Sequence, residues 1–229
     1  MGRDGARREE SEEVLSEHCM EICINGQTAT KQVCIHKFLT ELALGYLLTE
    51  GFIHSESDVA QIAICEQGAK AEILLKEKPA ETRKISPVIP IPWESEHVFS
   101  LADRFAAGMP LHQKTFATHS CFLARGSELL FACEDIGRHN ALDKAVGHAL
   151  RRGIDLRQCA IYSSGRIPTD MAMKAIRSGV PILASKASPS QEAVALAQKY
   201  NLTLICAARR DRMKLFAGAP PLTKGENNG

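Results

Sequence analysis

The stretch CAIYSSGRIPTDMAMKAIRSGVPILASKASPSQEAVALAQKYNLTLIC, Cys159 to Cys206, decides the fold class. Cys159–Tyr162 is a short apolar run that breaks at Ser163-Ser164-Gly165-Arg166. Thr169 or Asp170 can cap a helix that runs to Ser178-Gly179. Val180–Ala184 is a second strand. Ser188 is the expected cap of a second helix, whose Ala193, Val194, Leu196 and Ala197 face inward. Leu202–Cys206 is a third strand. Strand, helix, strand, helix, strand in this rhythm predicts parallel pairing with covering helices. The short connections then collect polar residues at the carboxyl ends of the strands, where open sheets hold ligands.

Upstream, Cys121–Leu123 and Leu129–Ala132 flank Arg125-Gly126-Ser127-Glu128 and read as a hairpin. A helix follows from about Asn140, its expected cap, with Ala141, Leu142, Ala145, Val146, Ala149 and Leu150 as its apolar face and Gly153 as its stop. Nearer the N-terminus, strands around 18–24 and 28–35 meet at Asn25-Gly26, a hairpin-turn signal. Phe38, Leu39, Leu42, Ala43, Tyr46 and Leu47 recur at helical spacing up to Gly51. Val59–Ile64 and Ala71–Leu75 are further strands, and Val98–Ala107 is a short helix. Pro79, Pro87, Pro90 and Pro92 mark a linker from Lys76 to Pro92. These elements predict a disordered tail over 1–13, an N-terminal α+β region with its Pro-rich linker over 14–110, an α/β domain over 111–218 and a second tail over 219–229.

The chain has 229 residues, 45% of them hydrophobic, enough for a substantial core. Its formal charge of +1 gives no global attraction to a long nucleic acid. No apolar run approaches the roughly 20 residues that span a bilayer. The charged N-terminus lacks a secretory h-region, so the cytoplasm is the expected compartment. Eight cysteines at irregular spacing, with no C-x2-C pair, predict buried thiols and no metal site. Aromatic residues total 5%, too few for a single-strand stacking platform. The P-loop and G-x-G-x-x-G patterns are both absent.

Three polar turns remain. Glu134-Asp135-Ile136-Gly137-Arg138-His139-Asn140, continued by Asp143 and Lys144, follows a strand and opens a helix. A solvated turn accounts for Asn140 as a cap but leaves the other side chains without a role. His139 beside Arg138 and two carboxylates suits phosphate or heterocycle recognition, or proton transfer. In Ser164-Gly165-Arg166 the glycine admits a ligand close to the backbone, and the guanidinium can grip a phosphate with two parallel donors. Lys174 points from the next helix either to this pocket or to water. Ser185 to Ser190 is the third turn, with Ser188 at its centre. Neighbouring parallel strands bring the last two turns onto one rim that suits a phosphate-rich organic ligand. His119, Cys121 and Cys133 flank the first turn. The two cysteines are the candidate nucleophiles, against the plainer reading of each as a structural thiol. An unrelated small-molecule enzyme using His139 with Asp135 is a weaker alternative, because no nucleophile or metal set accompanies that pair.

The chain resembles the FdhD/NarQ family of formate dehydrogenase accessory sulfurtransferases. The long turn Glu134–Asn140 with Asp143-Lys144 carries the likeness. Ser164-Gly165-Arg166, Lys174 and the Ala184–Pro189 turn follow in the family's order, and His119 matches a histidine ahead of the long motif. Asn25-Gly26 and Leu42–Gly51 resemble the family's first region. The resemblance implies a cytidine-deaminase-like α/β/α layer without zinc, in a cytoplasmic homodimer. It also implies binding of the molybdenum bis(molybdopterin guanine dinucleotide) cofactor, with GDP or GTP as an analogue. His119, Glu134, Asp135, Arg138, His139, Asn140, Ser164, Gly165, Arg166, Lys174 and Ser188 are the residues that would hold it. The implied partners are a cysteine desulfurase as sulfur donor and formate dehydrogenase as recipient. The family usually carries a C-G-x-C-G loop between its two regions, whereas Lys76 to Pro110 contains no cysteine here. The long motif also usually opens with Arg where this chain has Cys133. Either Cys121 or Cys133 takes over sulfur transfer, or this member is a chaperone or adaptor that holds the cofactor without passing sulfur.

Overall fold

The structure is a computed structural model that describes residues 13–77 and 85–223. It holds two sheets. The smaller is formed by β1 (His18–Ile24), β2 (Gln27–Cys34), β3 (Val59–Cys65) and β4 (Lys70–Leu75), in the order β2-β1-β4-β3. Asn25 and Gly26, both at positive φ, close the β1–β2 hairpin. Helix α1 (Leu39–Glu50) connects β2 to β3 and ends on Gly51 in the left-handed region, where a glycine costs nothing.

The larger sheet has six strands in the order β10-β9-β8-β7-β5-β6. The strands β5 (His119–Arg125) and β6 (Glu128–Asp135) are the expected hairpin, and β7 (Ala160–Ser163), β8 (Ile182–Ser185) and β9 (Thr203–Cys206) are parallel as predicted. The antiparallel β10 (Lys214–Ala217) closes one edge. Alternation along the strands separates two apolar layers. Cys121, Leu123, Ile161, Leu183 and Leu204 pack with α4 (Arg138–Arg151), α5 (Thr169–Ser178) and α6 (Gln191–Lys199). Phe122, Tyr162, Ala184 and Ile205 face Val98, Leu101 and Ala102 of α2 (Ser95–Ala107). A short helix, α3 (Pro110–Thr115), precedes β5.

One apolar core runs through both sheets, from Met20 and Leu42 to Ala145 and Ile176. Its centre is the crossing of α1 on α4. A Cβ on Gly45 would lie 1.8 Å from the Asp143 carbonyl oxygen, and one on Gly147 would lie 1.9 Å from that of Glu41. The two backbones touch because neither position carries a side chain.

Several local expectations are corrected. Helix α4 begins earlier, with Gly137 as its N-cap, because Asn140 turns inward and donates to the Val33 carbonyl and to Asp135. Ser190, and not Ser188, caps α6 by accepting from Ala193 N–H. The Pro-rich stretch is in part packed: Val88 and Trp93 are buried, and Val88 N–H donates to Tyr200. Residues 78–84 of the expected linker lie outside the described residues, as do 1–12 and 224–229 of the expected tails. The start of the second tail is ordered, since Trp93 Nε1 donates to the Ala219 carbonyl and Leu222 N–H to that of Trp93. No helix among the described residues is long and apolar enough to cross a membrane.

Candidate anion-binding site

The carboxyl ends of β6, β7 and β8 and the start of β5 meet at one edge of the large sheet. The turns after β7 and β8 are tied to each other. Ser185 Oγ donates to the Gly165 carbonyl (2.6 Å), Ile167 N–H to that of Ser188 (3.2 Å) and Ser190 N–H to that of Ile167 (3.0 Å). Arg166 and Ser188 are therefore neighbours on one exposed rim. Ser164 joins the turn after β7 to β5: its Oγ accepts Ser120 N–H (3.0 Å) and hydrogen-bonds His119 Nδ1 (3.0 Å).

Arg138 lies across Gly165. A Cβ there would fall 2.7 Å from Arg138 Cδ, so glycine is what lets the two turns approach. Arg138 Nε is buried with no hydrogen-bond partner among the described residues, and Ser120 Oγ, one strand position from His119, is in the same state. Buried donors without partners cost stability, so an orphan guanidinium nitrogen beside an open rim points to a ligand. Burial and the charges of Arg138, His112 and His139 hold His119 below its ordinary pKa. With His119 neutral and Ser164 Oγ its partner, the assignment that satisfies both is Ser164 O–H donating to Nδ1, which leaves Nε2 carrying the proton. His139 bonds Asp170 of α5 at 2.8 Å. Among the described residues no side chain caps the first turn of α4, which starts at this edge with its N–H groups unclaimed.

The structure thus gathers His119, Arg138, His139, Ser164, Gly165, Arg166 and Ser188. It does not bring the other four binding candidates to the rim. Glu134 is buried and accepts from Leu111 N–H (3.0 Å), His112 N–H (2.7 Å) and Thr118 Oγ1 (3.0 Å), which anchors the start of α3. Asp135 pairs with Lys144, both fully buried, and also accepts from Ile35 N–H and Asn140, which binds β2 to α4. Lys174 is buried against Asp143 (2.9 Å), Glu50 (2.7 Å) and Thr49 (2.9 Å). Burial pulls its pKa down, but the two carboxylates prevail and it sits above the ordinary value. These groups spend their hydrogen bonds on the fold, and none has a free face to offer a guest.

Cys121 and Cys133 are sealed as well, at 0% and 2% exposure. Burial pushes the Cys121 thiol well up and that of Cys133 up to about 12. The candidate nucleophiles are thus protonated core thiols at neutral pH. Of the eight cysteines, Cys19 is exposed and Cys65 half-buried, both on the small sheet. Two partners escaped the sequence reading. Asp170 read only as a cap, and α3, the partner of Glu134, is too short to show periodicity, although Pro110 marks its first turn.

Fold and site together define an α/β protein with a rim of basic and hydroxyl side chains at the carboxyl edge of a parallel sheet. The chain belongs to the FdhD/NarQ family, whose model matches residues 15–88 and 76–222. It is 30% identical over 231 residues to the sulfur carrier protein FdhD of Methanothermobacter thermautotrophicus, covering 93% of each chain. To its namesake in Listeria monocytogenes it is 25% identical over 247 residues, covering 96% of this chain and 95% of the other. A crystal structure from Desulfotalea psychrophila, described as a formate dehydrogenase accessory protein, superposes with a TM-score of 0.84 at 29% identity, covering 96% of this chain and 94% of that one.

Proposed function

We propose that this protein serves molybdenum-cofactor sulfuration as an accessory protein, and that it holds the bis(molybdopterin guanine dinucleotide) cofactor by its phosphates at the rim. The observation that carries this is the orphaned Arg138 Nε, laid over Gly165 beside the His119–Ser164 pair. Arg138 and Arg166 supply charge, the open first turn of α4 supplies backbone donors, and neutral His119 offers its Nε2 proton. The cofactor is cargo here, with formate dehydrogenase the recipient in our reading. We also assign the six-stranded layer to the cytidine-deaminase-like scaffolds. Its parallel β7-β8-β9 core with helices on both faces supports that kinship.

The sulfur step has two versions. In the first, a protein thiolate attacks the outer sulfur of a desulfurase persulfide, a new S–S bond forms, and the desulfurase thiolate leaves. That needs an accessible thiol, and the exposed one is Cys19. In the second, the protein holds and delivers the cofactor without taking on sulfur. The burial of Cys121 and Cys133 favours this version.

Calorimetric titration with GDP tests the rim. Wild-type protein is expected to bind, and Arg138→Ala or Arg166→Ala to weaken binding by about 1–3 kcal/mol each, the scale of a charge-assisted contact. Equal affinity in all three proteins would remove both guanidinium groups from the site. Intact mass after incubation with a cysteine desulfurase and cysteine separates the two sulfur versions. A sulfur adduct on Cys19 supports transfer, and an unmodified chain supports delivery alone. The expected homodimer, resting on the family likeness, is checked by sedimentation.

A further inference from the structure

Phe116 combines two costs. It sits at φ 53, in the left-handed region that penalises a bulky L-residue, and its side chain is 73% exposed. The strain has a visible source. Phe116 is the C-cap of α3, its N–H donates to the His112 carbonyl (2.8 Å), and Ala117 N–H bonds Thr115 Oγ1 (3.3 Å). The result is a phenyl ring held out of the core. His112 meets it edge-on, with ring centroids 5.8 Å apart.

This pair is coupled to the rim. His112 Nδ1 bonds the Thr118 carbonyl at 2.9 Å, one residue before His119, and its charge helps to lower the His119 pKa. Glu134, the first residue of the long motif, grips the start of the same helix. An exposed aromatic ring at positive φ is therefore linked through His112 to the backbone that leads into His119.

We propose that Phe116, with His112 at its edge, is the stacking platform for the heteroaromatic base of the nucleotide whose phosphates occupy the rim. The inference rests on the function proposed above and assigns the base-binding residue of that site. A base is the one part of such a ligand that gains from a flat π-face, and stacking of this kind is indifferent to the phosphates.

The test compares GDP with inorganic pyrophosphate, which lacks the base, by calorimetry on the full chain. Phe116→Ala is expected to lower GDP affinity by roughly tenfold or more and to leave pyrophosphate affinity unchanged. Phe116→Leu, which keeps apolar bulk and removes the π-face, is expected to lose nearly as much. Phe116→Tyr is expected to keep wild-type affinity. GDP affinity unaltered in Phe116→Ala, or equal losses for GDP and pyrophosphate, overturns the platform. If Arg138→Ala weakens both ligands while Phe116→Ala weakens neither, the rim stands and the platform falls. If wild-type protein binds neither ligand, both the rim and the platform fall.

Discussion

His119 is held neutral by its surroundings, and that has a pH consequence. Its folded pKa lies below the ordinary 6.5, mainly because of burial and then because of the Arg138 charge. The unfolded chain takes up a proton near 6.5 while the folded chain declines it, so the unfolded state binds more protons in that range. Stability from this residue is fully present above 6.5 and is lost as pH falls through the lower folded value. Urea midpoints are expected to drop between pH 7.5 and 5.5, and His119→Gln is expected to flatten that drop. An identical slope in the variant would count against this account. The long motif shows what residue-level reading can and cannot see. Glu134 and Asp135 end one strand and point to opposite faces, yet both are buried, one on α3 and the other on Lys144. Arg138 and His139, three and four residues on, remain at the rim. Nothing in the string Glu134–Asn140 separates inward from outward groups, because the partners that claim the inward ones are as much as about a hundred residues away, at Val33 and Ile35.

At the scale of elements, the strands and helices of 159–206 were legible because hydrophobic period and short turns agree there. The three parallel strands differ from expectation by one or two residues at their ends. The helix over 39–50 was legible from its apolar spacing and Gly51. Its crossing on α4 was not. Gly45 and Gly147 sit mid-helix, where glycine weakens a helix, and single-helix periodicity gives no reason for either. The reason is a backbone-to-backbone crossing that exists only once both helices are in place. Gly147→Ala is expected to cost about 1–3 kcal/mol or more in urea unfolding, since the added methyl meets the Glu41 carbonyl and the Gly45 nitrogen, and backbone gives way poorly. A variant as stable as wild type would mean that the crossing relaxes freely.

For the whole molecule, the sequence predicts an N-terminal region and a C-terminal domain, and the structure joins their interiors. The fully buried Asp135–Lys144 pair reaches across that join to the Ile35 backbone, and the Asp143–Lys174–Glu50 network spans it with only the Glu50 end partly open to solvent. Thiols report on this interior. Cys23, Cys34, Cys121, Cys133, Cys159 and Cys206 are buried, and Cys19 is open. Alkylation in native buffer is expected at Cys19 first and Cys65 next. Five of the buried thiols, Cys34, Cys121, Cys133, Cys159 and Cys206, should react only as denaturant opens the chain, together, because one core encloses both sheets. Early labelling of Cys34 ahead of Cys133 would show the small sheet opening by itself.

The helix crossing also constrains synthesis. As the chain leaves the ribosome, β1 to β4 and α1 emerge long before Gly147 does. Until then α1 has the small sheet beside it but not α4, and the helix face around Gly45 has nothing to lie on. The first third of the nascent polypeptide is therefore left waiting, one helix face uncovered, for a helix about a hundred residues downstream. That interval is when a trigger-type chaperone would have most to shield.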